Sequence, residues 1–287
     1  MNIDNTERGW RELAEDLRDL RADPPATLRP AILERVGLAD ALMTVHGPAG
    51  PLLVAYNGRG ISATAPGEDA DRFGERFQAR FRRPLRPADR PPARLVAQVE
   101  RLLDPGRRAT PPPYDLRGTS EFERAVLAKA QEIPRGQVRP YAWVAGELRQ
   151  PAAVRAVGAA LGRNPVPVLI PCHRVVGSDG RLTGYAWGVG YKRALLAAEG
   201  ADPDELERLG RRGTRFFGSD TTRIYCYPTC AHARRVTDRH LMTFTGAAQA
   251  AAAGYRPCRV CRPPAPTAQA HLGGRGGSSL PPHGSGT

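Results

Sequence analysis

The sequence predicts an α/β region followed by an all-helical region and then a small four-cysteine module. Three observations carry that division. Between residues 41 and 64, apolar stretches alternate with Gly, Pro and Asn turns, the pattern of short strands and hairpins. From 115 to 200 the apolar residues recur at helical spacing, punctuated by prolines and glycines. Beyond 220, Cys226-x3-Cys230 and Cys258-x2-Cys261 form two close pairs, the spacing of a tetrathiolate zinc site. The chain accordingly divides into an N-terminal helix and linker (1–40), an α/β domain (41–114), a helical domain (115–200), a charged linker (201–219), the cysteine module (220–263) and a disordered Pro/Gly/Ser-rich tail (264–287).

Taken in order, residues 7–21 place Trp10, Leu13, Leu17 and Leu20 on one helical face, and Asp23-Pro24-Pro25 stops that helix. Leu42–His46, Leu52–Tyr56 and Gly60–Ala63 read as strands joined at Gly47–Pro51 and at Asn57-Gly58. Helices follow over 69–82, with Phe73, Phe77 and Phe81 every four residues, and over 92–103. After a Pro-rich connector at 109–114, Thr119 or Ser120 can cap a helix over Glu121–Gln131. Tyr141–Leu148, a turn at Arg149-Gln150-Pro151 and Ala152–Gly162 make a helix-turn-helix pattern. Its second helix is bare, with Ala152, Ala153, Ala156, Gly158, Ala159 and Ala160 beside Arg155, which suits close docking in a groove or helix–helix packing equally. In the module, Leu241–Phe244 reads as a strand and Gly246–Ala253 as a short helix.

The net charge is +13, and only Lys129 and Lys192 among the 42 basic residues are not arginine. Arginine binds phosphate bidentately, although a GC-rich genome gives the same bias. The distribution decides: residues 208–262 hold eleven Arg against Asp220 and Asp238, so a polyanion, foremost nucleic acid, is the expected partner. No apolar run approaches the length of a membrane span, and Met1-Asn2-Ile3-Asp4 does not begin a secretion signal, so a cytoplasmic, nucleoid-associated location is expected. Five cysteines in such a chain point to metal binding and reactivity rather than disulfides.

The reactive candidate is Cys172 in Ile170-Pro171-Cys172-His173-Arg174-Val175. The apolar run Val166–Ile170 reads as a short buried strand or extended segment that delivers the thiol, and Pro171 stiffens its approach. An adjacent imidazole can generate the thiolate, and Glu199, after a helix over Tyr191–Ala198, can orient that imidazole as the acid does in a triad. Thr183-Gly184-Tyr185-Ala186-Trp187-Gly188 supplies two aromatics to wall a flat pocket of the kind that holds a base.

Pro171–Val175, Asn164-Pro165-Val166-Pro167, the small-residue helix with Arg155, Gly184-Tyr185 and Glu199-Gly200 occur in an order that resembles the O6-alkylguanine-DNA alkyltransferases. The resemblance, over about residues 41–200, implies a ribonuclease H-like N-terminal domain joined to a helix-turn-helix domain that docks in the minor groove of alkylated duplex DNA. It implies that Cys172 accepts the alkyl group once, that His173 removes its proton through a water, and that Glu199 orients His173. Asn164 would brace the turn behind the site, and Pro167 and Tyr185 would line the guanine pocket. Arg155 would replace the flipped base and Tyr141 would help rotate its phosphate, while Ala156 and Gly158 let the helix approach the DNA. A monomer with no organic cofactor and no membrane partner is expected.

Thr221–Cys230 and Gly254–Cys261 resemble the zinc domain of the Ada family. That resemblance implies zinc held by Cys226, Cys230, Cys258 and Cys261, with Cys226 also the methyl acceptor from backbone methylphosphotriesters and Thr222 and Arg256 touching the DNA backbone. A purely structural or DNA-clamping zinc remains the alternative. Arg223 stands where the family pattern has glycine and Tyr227 where it has arginine; the module follows the alkyltransferase region instead of preceding it. A methylation-responsive transcription regulator is a further alternative.

Overall fold

The computed structural model describes residues 28–266 except 68, 105, 107 and 108. The helix expected over 7–21 and most of the expected tail lie outside the described residues. Two compact units divide at Gly213/Thr214.

In the first unit, helix α1 (Leu28–Val36) leads into strands β1 (Asp40–Gly47), β2 (Gly50–Asn57) and β3 (Gly60–Pro66). The hairpins form where the turn residues predict: Gly47 faces Gly50 across Pro48-Ala49, and Asn57 faces Gly60 across Gly58-Arg59. The Asn57 side chain accepts the Arg59 N–H at 2.8 Å, an Asx turn. Helix α2 (Ala70–Phe81) is capped by the Asp69 side chain and buries Phe73 and Phe77. It crosses to β4 (Leu85–Pro87), which pairs parallel to β1 and completes a sheet of order β3-β2-β1-β4. Leu53, Ala55, Ala63 and Ala65 from the sheet pack on the two phenylalanines. The sequence reading missed β4, a three-residue edge strand too short to show periodicity.

Helix α3 (Ala93–Leu103) precedes the segment that binds this sheet to the helical region. Ile61 N–H donates to Pro113 O at 2.9 Å and Asp115 N–H donates to Ile61 O at 2.8 Å, so residues 113–115 pair with the outer edge of β3. Only glycine fits at position 60, where φ is +136° and a Cβ would sit 2.2 Å from the Pro113 carbonyl oxygen. Asn57 Nδ2 bridges the buried carboxylates of Asp40 (2.8 Å) and Asp115 (2.9 Å), and Arg83 lies between the same two acids. Burial pushes Asp115 up, but hydrogen bonds from Arg117 and Asn57 outweigh it and leave the carboxyl at about 2.

Helix α4 (Glu121–Gln131) opens with a reciprocal capping box between Ser120 and Glu123. Strand β5 (Arg139–Pro140), helix α5 (Tyr141–Glu147) and helix α6 (Val154–Gly162) follow, and a 3₁₀ turn at Pro151–Ala153 replaces the first turn expected of the second helix. β5 pairs with β6 (Val175–Val176) just after the Cys172–Arg174 turn, and helix α7 (Val189–Ala198) completes the site. Residues 201–219, expected as a charged linker, instead carry helix α8 (Pro203–Arg211) and strand β7 (Phe216–Ser219). The charges of α8 are one face of an amphipathic helix: Leu206 and Leu209 are buried, and Arg193 of α7 pairs with Asp204 and Glu207.

The second unit holds β7, β8 (Ile224–Cys226), β9 (Leu241–Phe244), helix α9 (Ala247–Ala252) and β10 (Arg256–Pro257) in a sheet of order β10-β8-β7-β9. Phe216 and Tyr225 meet edge to face at 5.3 Å, and Phe244 and Tyr255 do so at 4.8 Å, a small aromatic core beside the cysteines. Among the described residues, no helix is long and apolar enough to cross a membrane.

Candidate active site and metal centre

The segment before Cys172 is a tight turn, not the expected strand. Ile170 N–H donates to Val166 O at 2.9 Å, and Val168 is held at φ +74°, a left-handed conformation costly for a β-branched residue. Its surroundings account for its persistence. Asn164 accepts the Val166 N–H (3.0 Å) and donates from Nδ2 to Ile170 O (3.0 Å) and to Cys172 Sγ (3.2 Å). From β3, Thr64 donates Oγ1–H to Pro167 O at 2.6 Å and its N–H to Pro165 O at 3.0 Å. An extended run would have left these carbonyls and the thiol without their partners.

Cys172 is buried at 7% exposure and opens the 3₁₀ turn. Burial pushes its thiol up, opposed by the Asn164 hydrogen bond, the Lys192 charge and the Tyr185 hydroxyl. His173 is 1% exposed, and its Nε2 lies 3.0 Å from Glu199 Oε1. Burial lowers its pKa more than Glu199 raises it, so the ring is neutral. Glu199 is an anion: burial raises its carboxyl, but His173 and Arg174 bring it down to about 2. A carboxylate only accepts, so Nε2 carries the ring proton and Nδ1 is a bare acceptor. Nδ1 is buried and, among the described residues, meets no donor. Arg174 fixes the acid, donating Nε–H to Oε2 (2.8 Å) and Nη2–H to Oε1 (2.7 Å), and donates Nη1–H to Ile133 O (2.6 Å).

The thiol faces a cavity of about 340 Å³ lined by Tyr141, Gly158, Leu161, Asn164, Pro167, Tyr185 and Trp187. Tyr185 stacks on Tyr191 with ring centroids 6.5 Å apart, and its buried hydroxyl faces the Cys172 sulfur. Arg76 of α2 lies over the Trp187 ring at 5.0 Å, tying the cavity wall to the sheet side. Six of the sequence candidates (Tyr141, Gly158, Asn164, Pro167, Cys172 and Tyr185) therefore share one cavity, with His173 and Glu199 behind the thiol. Arg155 and Ala156 lie outside it, on the exposed face of α6. Sequence reasoning missed Thr64, Arg174, Tyr191 and Lys192; only Lys192 left a trace, one of two lysines in the chain and in register with the apolar Leu195 and Leu196.

In the second unit the four cysteines are buried, and their sulfurs lie within 4.8 Å of one another. Zinc–sulfur bonds of about 2.3 Å place tetrahedral thiolates roughly 3.8 Å apart, so this donor set fits one zinc ion. Cys226 also borders a cavity of about 350 Å³ with Thr221, Thr222, Arg235 and His240. His240 Nδ1 lies 2.9 Å from Asp220 Oδ1, and His232 is an exposed neighbour of Cys258 at 3.9 Å. Arg256 is exposed on β10, and its N–H donates to Arg223 O at 2.9 Å. Arg223, where the resemblance leads one to expect glycine, keeps a left-handed φ of +52°. Tyr227, where arginine is expected, is instead buried against Phe216 at 5.4 Å.

Residues 121–201 match the family described as 6-O-methylguanine DNA methyltransferase, DNA binding domain, and residues 211–264 match the metal binding domain of Ada. This chain joins a methyltransferase DNA-binding domain to an Ada-type metal-binding domain. The methyltransferase domain is 51% identical over 85 residues to a methylated-DNA–protein-cysteine methyltransferase of Mycolicibacterium paratuberculosis, covering 30% of this chain and 51% of that relative. Over 170 residues the chain is 39% identical to the bifunctional transcriptional activator/DNA repair enzyme Ada of Escherichia coli, covering 58% of this chain and 45% of the relative. The chain thus spans about half the length of the curated relatives it matches. A crystal structure of Mycobacterium tuberculosis OGT in complex with DNA is 32% identical, with 58% of this chain and 99% of that one covered and a TM-score of 0.47.

Proposed function

We propose that this protein repairs alkylated duplex DNA by direct reversal, taking the methyl group of O6-methylguanine irreversibly onto Cys172. One observation carries the reading: a buried thiol on the wall of a base-sized cavity, with a neutral, Glu199-oriented imidazole beside it whose Nδ1 is a bare acceptor. The lesion lies inside a duplex, so its nucleotide must be extruded to reach such a cavity. His173 Nδ1 takes the thiol proton through a water, and the sulfur lone pair attacks the methyl carbon. The C–O6 electrons return to the base, which gains one proton to become guanine and so balances the one the thiol gave up. The thioether has no leaving group, so each chain acts once. Exposed Arg155 fills the gap left by the flipped base, Tyr141 helps rotate its phosphate, Tyr185 and Pro167 hold the guanine, and small Ala156 and Gly158 let α6 approach the minor groove. The order β3-β2-β1-β4, with β4 parallel to β1, supports a ribonuclease H-like reading of the N-terminal sheet.

At the second unit, Cys226 accepts the methyl group of a backbone methylphosphotriester, a reading supported by its place on the border of a cavity that Thr222 and Arg235 share. Zinc bound by the four cysteines keeps that thiolate deprotonated. Thr222 and Arg256 hold the DNA backbone. Peptide mass spectrometry after incubation with duplex DNA carrying both lesions tests the two assignments separately. Methyl on Cys172 and Cys226 is the expected result; methyl on Cys172 alone reduces the module to binding or structure, and methyl on neither overturns the repair reading.

A further inference from the structure

The helix that ends at Glu199 also carries a charge that the reaction above leaves unused. Lys192 is fully buried at 0% exposure, where lysine is rare unless paired. Among the described residues its ammonium meets no carboxylate. It donates instead to two backbone carbonyls, Val175 O at 2.6 Å and Thr183 O at 3.2 Å. Val175 ends the Cys172–Arg174 turn, and Thr183 immediately precedes the Gly184-Tyr185 loop that walls the cavity. Val168 and Asn164 shape the approach to the cysteine from one side; Lys192 holds its exit from the other. The same helix, two turns later, supplies the acid that orients His173.

We propose that Lys192 is a positioning residue for Cys172: its ammonium ties the end of the cysteine turn to the root of the Tyr185 loop and presents a fixed positive charge to the thiolate. The inference rests on Cys172 being the methyl acceptor. A buried cation is costly unless a nearby anion or strong acceptors compensate it. Here two carbonyls hold the ammonium in the resting protein, and the thiolate adds its attraction as the proton leaves. Burial pulls the lysine down to about 8 even though the Cys172 charge pushes it up, and the lysine charge in turn acts on both Cys172 and His173. The groups on the elements packed around it are Cys172, His173 and Arg174 on the turn, Tyr185 on the loop, and Glu199 on its own helix. Once sulfur carries a methyl group the thiolate is gone, and the lysine loses its counter-charge while keeping both carbonyls.

The chain contains only Lys129 and Lys192, so full-length protein labelled with 13C at lysine Cε gives two signals, assigned by Lys129→Arg. The Lys192 signal should titrate below that of Lys129. It should move to higher pH when Cys172 is carboxymethylated with iodoacetate, which places a fixed negative charge beside the sulfur, and not when iodoacetamide adds a neutral group, with modification at Cys172 verified by peptide mass spectrometry. In Lys192→Met, iodoacetamide attack at Cys172 should slow about 10-fold at pH 7, where the wild-type Lys192 is charged, and transfer from an O6-methylguanine duplex should fall at least ~10-fold. Lys192→Arg, which keeps the charge in a bulkier group, should restore the iodoacetamide rate more fully than the transfer rate. A Lys192 signal indifferent to carboxymethylation of Cys172 overturns the proposal, as does a folded Lys192→Met with unchanged iodoacetamide rate and unchanged transfer. The labelled wild-type protein decides the matter should the variant fail to fold. If the methyl-acceptor reading itself is wrong, wild-type Cys172 takes no methyl from DNA, while the iodoacetamide and lysine measurements still report on the coupling.

Discussion

Replacing Glu199 by glutamine removes one negative charge from a buried cluster while keeping its size, and the structure sets the expected cost. The carboxyl is held at about 2 against an ordinary 4.5 by His173 and Arg174, with its side chain 11% exposed. That depression corresponds to about 3 kcal/mol of preference of the folded state for the anion. Because the folded pKa lies below the unfolded one, this stability is present in full above about 4.5 and is lost as pH falls toward 2. Glu199→Gln should therefore lower the unfolding free energy of the first unit by about 3 kcal/mol at pH 7, or more if Arg174 is left with a buried, unpaired charge. The gap to wild type should narrow steadily below pH 4.5. Urea unfolding followed by fluorescence of the buried Trp143, repeated at pH 7, 5, 4 and 3.5, measures it. A gap below about 0.5 kcal/mol at pH 7, or one that stays constant down to pH 3.5, would refute the view that Glu199 acts as a buried anion.

Three other changes separate the parts of the molecule. Arg155→Ala, at an exposed position, should leave stability within about 0.5 kcal/mol but slow repair in duplex DNA more than reaction with the free modified base; equal slowing of both counts against intercalation. Metal analysis should give one zinc per chain, and chelation should abolish the near-ultraviolet signal of the Phe216, Tyr225 and Tyr255 core, because structural zinc supplies on the order of 10 kcal/mol to such modules. Gly218→Ala should destabilise the second unit by about 1–3 kcal/mol without touching a metal ligand, since a Cβ there would lie 2.7 Å from both Phe244 and Tyr255; an unchanged thermal midpoint in the zinc-loaded protein would show that the aromatic pair yields.

The cysteines, the two hairpins and the helix-turn-helix were legible because each leaves a local mark: spacing, turn chemistry or helical period. The run Val166–Ile170 was not. Its composition is that of a strand, and it turns because Asn164 just before it satisfies one of its N–H groups and one carbonyl, while Thr64 and Tyr114 reach two more carbonyls from distant parts of the chain. Residues 201–219 hid a helix for the opposite reason: the charges of α8 outnumber its leucines, and only the partners of Leu206 show which face is inside. Arg174 carries no pattern in itself, and Lys192 only its rarity and its register with Leu195 and Leu196. An arginine after histidine and a lysine in a helix are unremarkable until folding brings Glu199 and two carbonyls to them.

The outer edge of β3 has a bearing on how the protein ages. An unpaired edge strand is a template for adding another strand, from another molecule as readily as from the same one. Here residues 113–115 occupy one part of that edge and Pro165 another, the latter six residues before the peptide bond into Cys172. The reactive segment is thus also a cover over a sheet. Bulk added at the sulfur that pushes residues 165–170 outward would free the Thr64 N–H and bare β3, so protein alkylated at Cys172 should aggregate and be cleaved by proteases more readily than the thiol form.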